Sequence, residues 1–352
     1  MTPVSGVARM TLVLVVLAAG LARAASADPP QSALDPGPGL HPADIGIVAN
    51  VVEPLSLAIA DYYQWRRGIP ARNVVRVNLG RNVDVLSAGD FARVKALVDR
   101  ELPSSVQALA LTWTRPYRVD CMSITSAFAF GFDLRACADG CQPTLPSPYY
   151  DSASRRPWQE FGMRPAMSIA ARDLPQAKAL IERGLRADRS APRGTAYLLD
   201  TADSARNARA SGYSLARRAA GGRLQVEIVK GDYLEDRRDV LLYETGVANV
   251  PKLTTNRFLS GAIADHLTSF GGQLFGKSQM SSLRWLEAGA TGSYGTVLEP
   301  CAFTGKFPNP GILLKHYLAG ETLIESYWKS VAMPGQGLFI GEPLANPYGG
   351  MR

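Results

Sequence analysis

Histidine and cysteine are scarce in this chain, with three His and four Cys among 352 residues. So small a supply of imidazole and thiol leaves little material for a zinc or iron centre. Cys137 and Cys141 form a lone Cys-x3-Cys without a second ligand pair. The expected state is therefore not a metal site but a small disulfide loop between Cys137 and Cys141, with Cys121 and Cys301 either paired together or free. Beyond Leu21 no apolar run reaches the roughly 20 residues that a membrane-crossing helix needs. Low-complexity tracts are missing, and no repeat is visible beyond two α/β halves. The net charge is +7. However, the basic pairs Arg66-Arg67, Arg155-Arg156, Arg217-Arg218 and Arg237-Arg238 have no aromatic residues interleaved among them, which argues against nucleic acid as a partner. A mildly basic surface suits anionic envelope material instead. No cofactor is expected.

What is present begins with a segment of secretory character. Arg9 supplies the positive start, Met10 to Leu21 the apolar stretch, and Ala22-Arg23-Ala24 and Ala25-Ser26-Ala27 two small-residue exits. Residues 1–27 are therefore expected to be a signal peptide. An uncleaved anchor is the alternative, but its apolar run is short. The reading implies an exported protein, periplasmic or extracellular, with no membrane span once the signal is removed. A Pro/Gly-rich extended leader follows over 28–43.

From Asp44 the pattern alternates strand and helix. Strands are expected over 44–50, 74–79 and 108–113, with helices over 54–67 and 87–101. Pro54 sits in the first turn of one helix, and Ser87 caps the other. Residues 114–172 break the rhythm with many Pro, Gly and aromatic residues and three of the four Cys. This is an ordered excursion within an N-terminal half, 44–190. The C-terminal half, 191–352, resumes with strands at 195–201 and 224–230 and closes with one at 337–341. Between them, three apolar runs (239–246, 261–272 and 289–301) each stop at a polar, glycine-bearing corner. Such runs fit strands of a parallel sheet, whose carboxyl ends are where open α/β sheets hold their ligands.

Several phrases resemble the gingipain-type peptidases, relatives of the caspases: Tyr62 to Pro70 leading into Val74–Val77, Gly320 to Ser326, and Phe339 to Ala345. The resemblance implies a three-layer α/β/α fold with a mostly parallel sheet made of two α/β halves. It also implies a His-Gly corner and a Cys corner, but here those places read Tyr243-Glu244-Thr245-Gly246 and Thr268-Ser269-Phe270-Gly271-Gly272. The dyad is not matched. A chain-wide resemblance is to a family of exported bacterial proteins from species with the exosortase surface-sorting system. It is carried by Ala262 to Gly272, Gly292 to Cys301, Tyr327 to Val331, and Tyr197 to Thr201 with Arg206 and Asn207.

The candidate site residues lie at the corners. Cys301 with His266 is one possible nucleophile–base pair, set against a satisfied core histidine and a disulfide partner. Ser269 occupies the place of the family's Cys, and its plainer role is to bond strand-end backbone. Gly271 and Gly272 offer N–H groups to an anion, or simply permit a turn. Glu299, Asp265, Glu244 and Asp200 are acids near strand ends, suited in pairs to acid–base work or to binding Ca²⁺, or else to ordinary capping. Arg115 and Arg118 follow the third strand, where they can hold an anionic group or anchor the excursion. His41 and His316 read as incidental, the latter on a polar helix face. Two functions follow: a non-catalytic relative that binds an envelope protein, peptide or glycan in a strand-end crevice, or a peptidase-like hydrolase using Cys301 or Ser269 with His266.

Overall fold

The computed structural model describes residues 1–3, 38–137 and 141–350. The expected signal peptide, most of the leader, and the turn at 138–140 lie outside them. In the first half the chain forms β1 (Ile45–Asn50), α1 (Pro54–Arg67), β2 (Val74–Val77), β3 (Val85–Leu86), α2 (Ala88–Glu101) and β4 (Ala108–Leu111). The excursion adds β5 (Arg118–Val119), β6 (Met122–Ser123), α3 (Ile124–Phe130), α4 (Pro157–Phe161) and β7 (Ala166–Ser168), and α5 (Leu174–Ala187) closes this half. The second half comprises β8 (Thr195–Asp200), α6 (Tyr213–Ala220), β9 (Gln225–Lys230), β10 (Val240–Thr245), β11 (Phe258–His266), α7 (Leu283–Ala288), β12 (Gly292–Thr296), α8 (Pro310–Leu318), α9 (Leu323–Ser330) and β13 (Gly337–Gly341).

Local chemistry accounts for several of these boundaries. Pro54 opens α1, and Gly68 closes it in the left-handed conformation at φ 65°, which glycine adopts without steric cost. Ser87 and Asp173 cap α2 and α5 by accepting the N–H groups of Asp90 and Gln176. β1 and β10 are buried along their whole length, as strands covered on both faces must be.

Ten strands form one sheet in the order β2-β1-β4-β7-β13-β12-β11-β10-β8-β9, and the fold is α/β with a three-layer α/β/α arrangement. The five strands from β2 to β13 run parallel to one another. The five from β12 to β9 do likewise. The blocks meet at the antiparallel β12–β13 pair, where Gly292 faces Gly341 and Thr296 faces Gly337. Carboxyl ends of the two blocks therefore emerge at opposite rims, so the molecule has two strand-end rims instead of one. The excursion is not an appendage, because its β7 fills the place between β4 and β13. α9 is buried at every residue and stacks Trp328 on Phe339 of β13 with ring centroids 4.4 Å apart. Among the described residues no helix is long and apolar enough to cross a membrane.

Candidate functional site

At the rim where β10, β11 and β12 end, the three corners do lie side by side, yet the rim is packed shut. Gly272 donates its N–H to the Thr296 carbonyl at 2.8 Å, so that group is not available to an oxyanion. A Cβ on Gly272 would stand 2.5 Å from the Gly295 oxygen, and one on Gly295 within 2.5 Å of the Gly272 nitrogen. Glycine is needed here because backbone lies directly against backbone. The Thr296 hydroxyl donates to the carbonyls of Thr268 (3.0 Å) and Ser269 (2.9 Å). Gln279 Oε1 accepts from the Thr268 hydroxyl and the Phe270 N–H.

His266 is fully buried. Its Nδ1 accepts from Trp285 Nε1–H at 3.0 Å. An indole nitrogen only donates, so the ring proton sits on Nε2 and is given to the Met280 carbonyl, also at 3.0 Å. Both nitrogens are occupied in the neutral ring. Desolvation by burial holds the imidazole down to about pKa 4. Ser269 thus has no imidazole at its service.

Cys301 is likewise committed. The cysteines pair as Cys121–Cys137 and Cys141–Cys301, with Cα atoms 5.5 and 5.2 Å apart. This corrects both the expected Cys137–Cys141 loop and the two options for Cys121 and Cys301. Cys137 approaches Cys121 at the end of the mini-sheet formed by β3, β5 and β6, while Cys141 continues toward the loop after β12. A disulfide sulfur is not a thiolate nucleophile. Glu299 is exposed, and its Oε1 accepts the Cys301 N–H at 2.8 Å. It supports the turn that holds Cys301 at φ 49°.

Glu244 and Asp265 are brought together, opposite each other in the β10–β11 register and fully buried. Both face Arg209, whose Nη1 lies 2.7 Å from Asp265 and 3.3 Å from Glu244. Desolvation is the largest influence on all three, but the two carboxylates hold the guanidinium above its ordinary pKa. Burial, opposed by Arg209 and reinforced by Asp265, raises the Glu244 carboxyl to about 8. Burial also raises Asp265. One guanidinium faces two buried carboxylates, so burial and the unbalanced second charge push the pair toward holding a proton. Arg209 borders a cavity of about 160 Å³ that neither acid lines. The pair is shielded behind it.

His316 is not incidental. Only 5% exposed, it has Nε2 3.0 Å from Asp151 and Nδ1 3.0 Å from Glu321, which also pairs with Lys329 at 2.7 Å. These contacts tie the excursion to α8 and α9.

The opposite rim, where β1, β4 and β7 end, is open. Arg115 and Arg172 follow β4 and β7, and the connection between β11 and α7 reaches across to them. The Arg115 guanidinium lies 3.8 Å from the centroid of the Phe275 ring, and Arg172 is 5.7 Å from it. Around them is a cavity of about 570 Å³ bordered also by Lys277, Met280 and Arg284. A second recess of about 270 Å³ shares Arg115, Arg172 and Phe275 and extends to Leu55 and Trp113. A third, of about 320 Å³, shares Met280 and Arg284 and reaches Val250. Together they make one elongated groove. Arg115 lines it while paired with Asp84 at 2.9 Å. Arg118 instead lies in the β3–β5–β6 mini-sheet, opposite Ser123. Arg172, Phe275, Lys277 and Arg284 had no signal in the sequence, where cations and a Phe in connecting segments look like ordinary surface.

The fold and site define an α/β protein with one large mixed sheet and a groove at one strand-end rim. No protein-family model, no curated protein and no solved structure matches this chain. The two disulfides fit a compartment outside the reducing cytoplasm.

Proposed function

We propose that this is a non-catalytic binding protein of the periplasm or cell exterior, taking a peptide segment of an envelope partner in its strand-end groove. One observation carries the reading: the groups a peptidase of this kind would use are already committed. His266 bonds through both nitrogens, and Cys301 is linked to Cys141. The unmatched dyad in the gingipain-like corners supports the same reading, as does the chain-wide resemblance to exosortase-associated exported proteins. Hydrolysis through Ser269 is disfavoured because its would-be base is a buried neutral imidazole with no free lone pair.

The test is a selection of displayed random peptides on the intact, unreduced protein, followed by mass spectrometry of the enriched peptides after long incubation. Retained, uncleaved peptides that protect the 274–284 connection from hydrogen exchange are expected, with no thiol-probe labelling of Cys301. Cleaved peptides, with cleavage abolished by Ser269→Ala, would replace this reading by the hydrolase one.

A further inference from the structure

The groove has a charge pattern that specifies its occupant more closely. Four cationic side chains line its middle cavity: Arg115, Arg172, Lys277 and Arg284. Their acidic partners are Asp84, paired with Arg115, and Glu287, shared by Arg172 and Arg284. Neither acid borders that cavity, so its lining carries cationic side chains and no carboxylate. Lys277 is exposed and has no ion-pair partner among the described residues. At one end, Leu55 and Trp113 border an adjoining recess whose wall also carries Glu53, Ser56 and Asn82. A row of adjoining recesses with a cationic centre and the Leu55 and Trp113 side chains at one end suits a linear chain, not a compact ligand.

Building on the binding reading above, we infer that the groove takes an extended peptide segment whose Asp and Glu side chains lie along Arg172, Lys277 and Arg284, with an apolar side chain in the Leu55–Trp113 recess. Three physical points support a peptide. Carboxylates match guanidinium groups in charge and fork geometry. An extended backbone places alternate side chains on one side, so acids can face the cations at intervals. The Leu55 and Trp113 side chains at one end, with Glu53 beside them, give such a peptide a polarity, which a uniformly charged polymer would not use. Cations at the surface are screened by salt, so attraction should weaken as ionic strength rises.

The experiment uses the full, disulfide-intact protein and three fluorescein-labelled probes measured by anisotropy. One is a short peptide with an N-terminal Leu followed by alternating Glu and Ser. Another is the same peptide with Gln for Glu. The third is alginate, an anionic polysaccharide. The acidic peptide is expected to bind at low salt at least about tenfold more tightly than its Gln counterpart. Lys277→Glu should weaken it by roughly tenfold, and adding Arg284→Gln should weaken it further. Lys230→Glu, on the far edge strand β9, should leave it unchanged. Near-ultraviolet circular dichroism of each variant separates lost binding from lost fold. Replacing the terminal Leu by Ser should cost affinity without altering the salt dependence. Equal binding of the Glu and Gln peptides would overturn the charge assignment while leaving the binding reading intact. Alginate binding without peptide binding would overturn the peptide assignment. No binding of any probe would overturn the proposed ligand class, and the peptide selection then decides the broader reading separately. Cleavage of the acidic peptide would refute that broader reading instead.

Discussion

Acid should loosen this protein through one buried ring. His266 is neutral in the folded state because burial leaves no solvent for an imidazolium, and because Trp285 Nε1–H already uses its Nδ1 lone pair. In the unfolded chain the same ring titrates near its ordinary 6.5, whereas in the fold it titrates at about 4. Between these values the unfolded state binds a proton that the folded state refuses, so stability rises with pH across that window. The contribution is complete above pH 6.5 and declines as pH falls toward about 4. Taking about 1.36 kcal/mol for each tenfold difference in proton affinity, the whole effect is at most about 3 kcal/mol. That is a large share of the stability of an ordinary domain. The assay is urea denaturation followed by far-ultraviolet circular dichroism near neutral pH and at about pH 4.5, on the native protein and on His266→Asn. Asn can still accept from Trp285, so the variant retains one of the two bonds but cannot titrate. It should be less stable at neutral pH, and its loss on acidification should be smaller than that of the native protein by about 2–3 kcal/mol. Other titrating groups are common to both proteins and cancel in the comparison. Equal losses in the two proteins would refute the account of a locked neutral imidazole.

Further outcomes follow from other sites. Glu244, with its carboxyl raised to about 8 by burial, contributes in the opposite direction: its stabilisation is complete below about pH 4.5 and is lost as pH rises through 8. Glu244→Gln, an uncharged mimic, should therefore flatten the decline in stability that urea denaturation shows between about pH 4.5 and 8, and an unchanged decline would count against the buried proton. Gly272→Ala should destabilise by about 1–3 kcal/mol, because backbone cannot withdraw from its Cβ. Gly271→Ala should be far milder in the same thermal scans, since its Cβ would meet its nearest neighbours at 3.4–3.5 Å. Non-reducing peptide mapping should recover Cys121–Cys137 and Cys141–Cys301. Replacing Cys141 and Cys301 by Ser opens a loop of 160 residues and should lower stability by up to about 5 kcal/mol on the chain-entropy account.

Much of the scaffold could be read from residue pattern. Apolar strands bounded by Gly or Pro, the Pro54 entry to α1 and the Ser87 cap are local signals, and each produces the element it encodes. The α/β class followed from that alternation, and the three-layer arrangement was what the gingipain-type resemblance implied. Direction was harder. The parallel run of β10, β11 and β12 was legible, but the reversal between the two blocks depends on where β13 pairs, which no local residue declares. β7 is only three residues long and hidden among the prolines of the excursion. The corner residues were visible as polar groups at strand ends. Their bonding was not, because Trp285 and Met280 reach His266 from the following connection. The cysteine pairing was misread for a related reason: adjacency along the chain favoured Cys137–Cys141, whereas the fold carries those two sulfurs toward different partners. Arg209 comes from a 3-10 turn before α6, so its reach to Glu244 and Asp265 leaves no periodic trace.

The position of β13 has a consequence for synthesis. This strand, made after the other nine of the sheet, sits in its middle, between β7 and β12. A nascent chain halted before Gly337 would hold two unfinished half-sheets, each ending in a raw edge of unpaired amides. Such edges recruit strands from other molecules, so premature termination should yield aggregates, not a shortened but functional product.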